Sequence, residues 1–198
     1  MSMIQTRLFA VPMAALLLSG CFSLGGKVPP SLLNLTASSA PAANAARSGT
    51  AQSALTIVIP SVPQKLRTAR VPVETGGAAV AYLKDAQWIE PPARLFQRLL
   101  SETLSASQNR LVLTETELIS APGELLSGDL LNFGVDADSN EAVVTYQALR
   151  LTNDGTTISQ RRFEARETVG ELTPANAGAA LNRAANRVAG EVSVWMAQ

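Results

Sequence analysis

Glu124–Asp136 (ELLSGDLLNFGVD), Ala142–Thr152 (AVVTYQALRLT) and Thr157–Val169 (TISQRRFEARETV) decide the fold. The tracts between them, Asp138-Ser139-Asn140 and Asn153-Asp154-Gly155, are turn formers, so the three segments read as successive strands of a β-meander. Downstream, Thr173 is placed to N-cap a helix with Pro174 at its first position. Leu181, Ala185, Val188, Val192 and Trp195 then fall on one stripe running to the C-terminus, and read as packed on the sheet, with a partner-binding face as the alternative. Small residues at 177–180 and 184–185 would let that helix lie close against a sheet.

Working upstream, Arg110–Thr114 reads as a further strand, reached from a helix that starts at Pro91-Pro92, where a missing N–H costs nothing. Leu95, Phe96, Leu99, Leu100, Thr103 and Leu104 line one face of this helix. Arg94 and Arg98 lie on the other, with Arg98 and Glu102 four apart as an expected exposed pair. Trp88, just before the helix, reads as a core side chain, with a partner-binding surface again the alternative. Leu55–Pro60 is an apolar, β-branched run closed by proline, hence a buried strand. Val71–Thr75 and Ala78–Leu83 flank Gly76-Gly77 as a hairpin; without a GxxxxGK[ST] pattern the glycines make a turn and not a phosphate cradle. Ser31–Leu35 forms a short edge strand with Leu33 and Leu35 on one face. Thr36–Ala54 has no large apolar side chain and reads as a mobile polar loop. The sum is an α+β domain over 31–198, a mostly antiparallel sheet with two amphipathic helices packed on one face.

Composition narrows the chemistry. The 198 residues include 16 Lys+Arg, 16 Asp+Glu, no His and one Cys, and 46% are hydrophobic, enough for one packed domain. Balanced charge argues against a nucleic-acid partner. The missing His removes the commonest general base and zinc ligand, and with them Ser–His and Cys–His catalysis. A single Cys excludes an intramolecular disulfide, a thiolate metal cluster and CxxC redox chemistry. Asp136-Ala-Asp138-Ser-Asn140 opens like a calcium loop, but Glu141 and Gln147 stand where the loop needs Gly and Glu, so it reads as a hairpin turn. Glu115 and Glu117 share a strand face as an acid–base pair would, yet nothing around them resembles a glycosidase, and a solvated edge is the better reading. Arg161 and Arg162 point to opposite faces of a strand, so they form no anionic-lipid patch by themselves. No catalytic residue, cofactor or metal is expected.

The cysteine is the most informative residue. Arg7 precedes an apolar run from Leu8 to Leu18, and a helix over that run rises only about 16 Å, half of what a bilayer requires. Its length suits a signal peptide over 1–20. The run ends in Leu18-Ser19-Gly20-Cys21, which resembles a bacterial lipobox, so Cys21 is expected to carry a diacylglycerol and an N-acyl chain. Two or more acyl chains anchor stably where one is marginal. Residues 21–30 then form a glycine- and proline-bearing flexible tether. Phe22, where an inner-membrane retention signal would place Asp, directs the expectation to the periplasmic leaflet of the outer membrane.

Together these residues resemble the ABC-type transport auxiliary lipoprotein family, which includes the paraquat-inducible protein C lipoproteins. The likeness rests on the lipobox, Leu55–Pro60, Leu66–Val71, the glycine turn, Tyr82, and above all Ala86-Gln87-Trp88-Ile89-Glu90-Pro91-Pro92 leading into a leucine-rich helix face. The resemblance implies a non-catalytic subunit partnered by an ABC permease, an ATPase and a mammalian-cell-entry (MCE) domain protein, docking lipid-transport machinery at the outer membrane. A ring-like partner surface would favour a homo-oligomer. The competing readings are an assembly lipoprotein of the outer membrane and a carboxylate-dependent envelope enzyme. Cys21→Ala should abolish fatty-acid labelling and lipoprotein processing while leaving the domain's fold intact; label persisting in the variant would refute the lipobox reading.

Overall fold

The computed structural model describes residues 31–108, 110–114 and 123–198; Cys21 and the rest of the tract before Ser31, like Glu115 and Glu117, lie outside them. The described chain runs β1 (Leu55–Ile57), β2 (Arg70–Thr75), β3 (Ala79–Gln87), α1 (Pro92–Ser107), β4 (Val112–Thr114), β5 (Glu124–Asp136), β6 (Glu141–Leu151), β7 (Ile158–Thr168) and α2 (Pro174–Met196). The strands form one seven-stranded, mostly antiparallel sheet. β5, β6 and β7 are the expected meander, paired antiparallel from Asp136↔Glu141 to Leu125↔Leu151 and from Glu141↔Thr168 to Leu151↔Ile158. In the β5–β6 turn Asp136 Oδ1 accepts the main-chain N–H groups of Asp138 and Ser139 at 3.0 and 3.3 Å, and Asn140 takes φ 56°. Those donors, Ser139 foremost, hold the Asp136 carboxyl below the usual carboxylate range.

The other flank of β5 is not what the strand pattern suggests. Leu55–Ile57 pairs in parallel with Glu124–Leu126, while Val73 and Glu74 pair in parallel with Val135 and Asp136. β1 and β2 thus lie end to end along one long partner. Pro60 and Pro63, which have no N–H to give, separate them, with Ser61 opposite Asp129 and a 3₁₀ turn at Gln64–Leu66 in between. The strand expected over Leu55–Pro60 therefore stops at Ile57. β3 flanks β2 antiparallel and β4 flanks β1 parallel. Gly134 makes the approach of β2 feasible: a Cβ there would stand 2.6 Å from the Pro72 carbonyl oxygen.

Both helices cover the same face and close one hydrophobic core. The whole predicted stripe of α1, from Leu95 to Leu104, is buried, and Phe96 meets Tyr146 of β6 edge-on at 5.2 Å. Burial pushes the Tyr146 phenol up, so it stays protonated and donates to the Ser127 carbonyl at 2.7 Å. Arg98 pairs with Glu90 at 2.7 Å and not with Glu102, because a carboxylate ahead of the first turn also faces the positive end of the helix dipole. On α2, Thr173 Oγ1 accepts the Asn176 N–H at 3.2 Å, and Leu181, Ala185, Val188 and Val192 are fully buried. The polar stretch 36–54 is largely exposed, yet its start is clasped to α2. Thr36 and Ser38 N–H groups donate to the side-chain oxygens of Asn182 and Asn186 at 2.9 and 2.7 Å.

Trp195 is 9% exposed and lies 5.7 Å from the Phe163 ring. Trp195→Ala should lower the unfolding free energy by roughly 3–5 kcal/mol, measured by thermal or denaturant unfolding of the purified chain. Wild-type stability in that variant would contradict the packing described.

Candidate functional site

The chain enters the domain beside Trp88. Leu33 N–H donates to the Gln87 carbonyl at 2.7 Å and the Ile89 N–H donates to the Leu33 carbonyl at 2.9 Å, a parallel bridge opposite Trp88. On α2, a Cβ at Gly178 would come within 2.7 Å of Leu33 Cδ2, so the glycine leaves the room that Leu33 fills. Strand alternation turns Trp88 inward with Leu33. The indole is 1% exposed and meets Phe133 edge-on at 5.4 Å. Both tryptophans singled out in the sequence therefore sit in the core, Trp195 because it ends the buried stripe of α2, and neither ring is presented at the surface. The structure brings Trp88, but not Trp195, beside Leu33 at the start of the described chain.

A second constellation lies at the C-terminal ends of both helices. Glu124, nearly buried, accepts from Arg110 Nη1 and from Arg150 Nε. Arg150 Nη1 also reaches the Trp195 carbonyl at 3.5 Å, and Arg47 Nη1 donates to the Gln108 carbonyl at 3.1 Å. Helix C-termini leave carbonyls without intrahelical partners and concentrate negative dipole charge, which these guanidiniums meet. With Gln52, Ser53 and Thr152 the cluster lines a cavity of about 220 Å³. Sequence reasoning missed it, since Arg110, Glu124 and Arg150 sit on three separate elements and share no local pattern. Its one carboxylate is bound by two cations, which suits bracing better than proton transfer.

A shallower groove of about 450 Å³ runs between α2 and the β7 edge, lined by Arg161, Arg187, Gly190 and Val194 among others. Arg161 rests over the Phe163 ring at 5.2 Å, whereas Arg162 turns to the opposite face and pairs with Glu164 at 3.5 Å. The adjacent arginines part as strand alternation requires. Among the described residues no group of three or more His, Cys, Asp or Glu could hold a metal ion, and no helix is long and apolar enough to cross a membrane. Removing the shared carboxylate would leave two guanidiniums facing each other, so Glu124→Ala should destabilise the fold by about 3 kcal/mol. Added salt should recover part of the loss in denaturant unfolding, because it screens the repulsion.

No curated protein matches the chain in sequence. The crystal structure of protein XCC0632 from Xanthomonas campestris, of the DUF330 family, superposes with a TM-score of 0.68 at 17% identity, covering 84% of this chain and 94% of that one. The crystal structure of an uncharacterized protein gives a TM-score of 0.64 at 12% identity, over 76% of this chain and 96% of its own. At such identities these likenesses establish the fold alone. The sequence model of the ABC-type transport auxiliary lipoprotein component matches residues 34–193, from the segment beside Trp88 to the last turns of α2. The chain belongs to the family of ABC-type transport auxiliary lipoprotein components.

Proposed function

We propose that this protein is the lipid-anchored auxiliary subunit of an MCE-type ABC transport system, held to the outer membrane by acylated Cys21 and docking the lipid-transport machinery on the periplasmic side. The observation that carries the reading is the family match over 34–193 behind the Leu18-Ser19-Gly20-Cys21 block. Family membership supplies the transport association; the ATPase, permease and MCE-domain protein as partners, and the outer membrane as site, are the proposal's own. The subunit adds no catalytic step, and ATP is hydrolysed on the ATPase. Its contribution is effective concentration: a domain tethered at the membrane turns partner capture there into a nearly intramolecular event. Lipidation suits that role, since two or more acyl chains hold a protein stably without a membrane-spanning helix.

Affinity purification of the tagged, lipidated protein from crosslinked membranes tests the reading. The MCE-domain protein, permease and ATPase should co-purify with the wild type and be largely lost with Cys21→Ala. Recovery of outer-membrane assembly proteins in their place would replace the transport role with an assembly role.

A further inference from the structure

Among the described residues six large apolar side chains are exposed, and three of them, Leu32, Val80 and Ile89, gather on one strip of the molecule. The other three, Ile158, Leu172 and Val194, belong to β7, the connection before α2 and α2 itself. Strand alternation places the strip. Val71 and Val73 point into the core, so Arg70, Pro72 and Glu74 face the side of the sheet away from the helices, and the ladder sets Gln87, Tyr82 and Val80 beside them. Leu33 packs inward with Trp88 across their bridge, which turns Leu32 and Ile89 outward. Leu32, Val80 and Ile89 are 48%, 47% and 43% exposed. The charge along the strip is cationic. Lys65 is taken up by Glu74 and Glu90 by Arg98, whereas Arg67, Arg70 and Lys84 have no ion-pair partner among the described residues, with Asp85 the one unpaired carboxylate beside them. Farther across the same face Arg162 and Arg166 are neutralised by Glu164, Glu141 and Asp136.

We propose that this strip lies on the anionic surface of the bilayer that holds Cys21, with Leu32, Val80 and Ile89 entering the headgroup layer and Arg67, Arg70 and Lys84 meeting lipid phosphates. The inference rests on the anchoring reading above and adds which face of the domain turns to the membrane. Position supports it first. The described chain begins at Ser31, within the strip, and the ten-residue step from Cys21 spans at most about 35 Å even when fully extended. The far edge of the sheet, at β7, stands four strand spacings, about 19 Å, away from β3. Chemistry supports it second. Arg70 stacks on the Tyr82 ring at 4.3 Å, and an aromatic with a polar tip, long basic side chains and exposed aliphatic groups together suit the boundary between headgroups and acyl chains. Unpaired basic residues are drawn to an anionic leaflet. The contact need not be strong by itself, because the acyl anchor holds the strip at high effective concentration beside the lipid.

Fluorescence quenching in proteoliposomes tests the docking. The protein is purified from membranes with its anchor and reconstituted in vesicles of phosphatidylethanolamine and phosphatidylglycerol. Acylation consumes the Cys21 thiol, so one introduced cysteine is the labelling site. Lipids brominated near the glycerol end of the acyl chain should quench a dye on Leu32→Cys or Ile89→Cys at least about threefold more than one on Ile158→Cys or Val194→Cys, since interfacial side chains insert only about 5–10 Å. Lys84→Glu should at least halve the quenching at residue 89, as should molar salt. Circular dichroism confirms that each variant is folded, and vesicle flotation is scored in parallel. Protein that floats while its dyes at 32 and 89 are quenched no more than the one at 158 would overturn the docking and leave the anchor standing. Protein that does not float would refute the anchor and the docking with it. Quenching indifferent to Lys84→Glu and to salt would overturn the recognition of anionic lipid. Dyes at 32 and 89 shielded from a water-soluble quencher only when the transport proteins are added would assign the strip to a protein partner instead.

Discussion

β5 is longer than any neighbour on one of its flanks can cover, and the domain is organised around that mismatch. Its 13 residues reach about 43 Å at strand rise. β6 follows it along its whole length on one side, while on the other β1 and β2 divide it. The sheet therefore forks into a β1–β4 arm and a β2–β3 arm, and α1 must carry the chain from the second arm to the first. That crossing gives α1 its wide buried face and a second task at the fork. Gln97, buried on α1, donates its side-chain amide to the Ile57 carbonyl at 2.8 Å, where regular pairing of β1 ends. A buried carbonyl left bare there would cost on the order of 1–3 kcal/mol.

Leu126, Leu130, Phe133 and Val135 are the helix-facing row of β5, and all are buried. The row reads with one slip, between Leu130 and Asn132, where the ladder with β6 shifts register. The slip lets Phe133 join the same face as Leu130 although strict alternation would separate them. Trp88 depends on it, because its indole packs on Phe133. The bulge, the fork and the chain entry are thus one connected piece of packing.

Elements whose signals are local were legible from the residues alone. The turns at 138–140 and 153–155, the capping threonine before α2 and the two apolar helix stripes each depend on residues within a few positions of one another. The parallel pairing of β1 and β2 with β5 was not legible, since nothing in Leu55–Ile57 states which distant strand it will join. The Arg110–Glu124–Arg150 cluster escaped for the same reason. Asn182 and Asn186 did leave a trace, two amides spaced i, i+4 on one helix, but their partners at Thr36 and Ser38 lie 146 and 148 positions away. For the site, the cysteine motif is purely local and lies outside the described residues. The two tryptophans were ambiguous until packing placed them.

The clasp of Thr36 and Ser38 on α2 has a mechanical consequence. Residues 31–33 run parallel to the strand end they pair with, so tension applied upstream loads the two Leu33 hydrogen bonds in shear. Once those yield, the Asn182 and Asn186 contacts come next in line. The segment up to Ala54 would then peel away before β1 is reached, adding on the order of 80 Å of contour length at full extension. Leu55, fully buried and paired on both sides, is where the yielding stops. The polar stretch is stored slack, released in order before the paired strands of the core take the load.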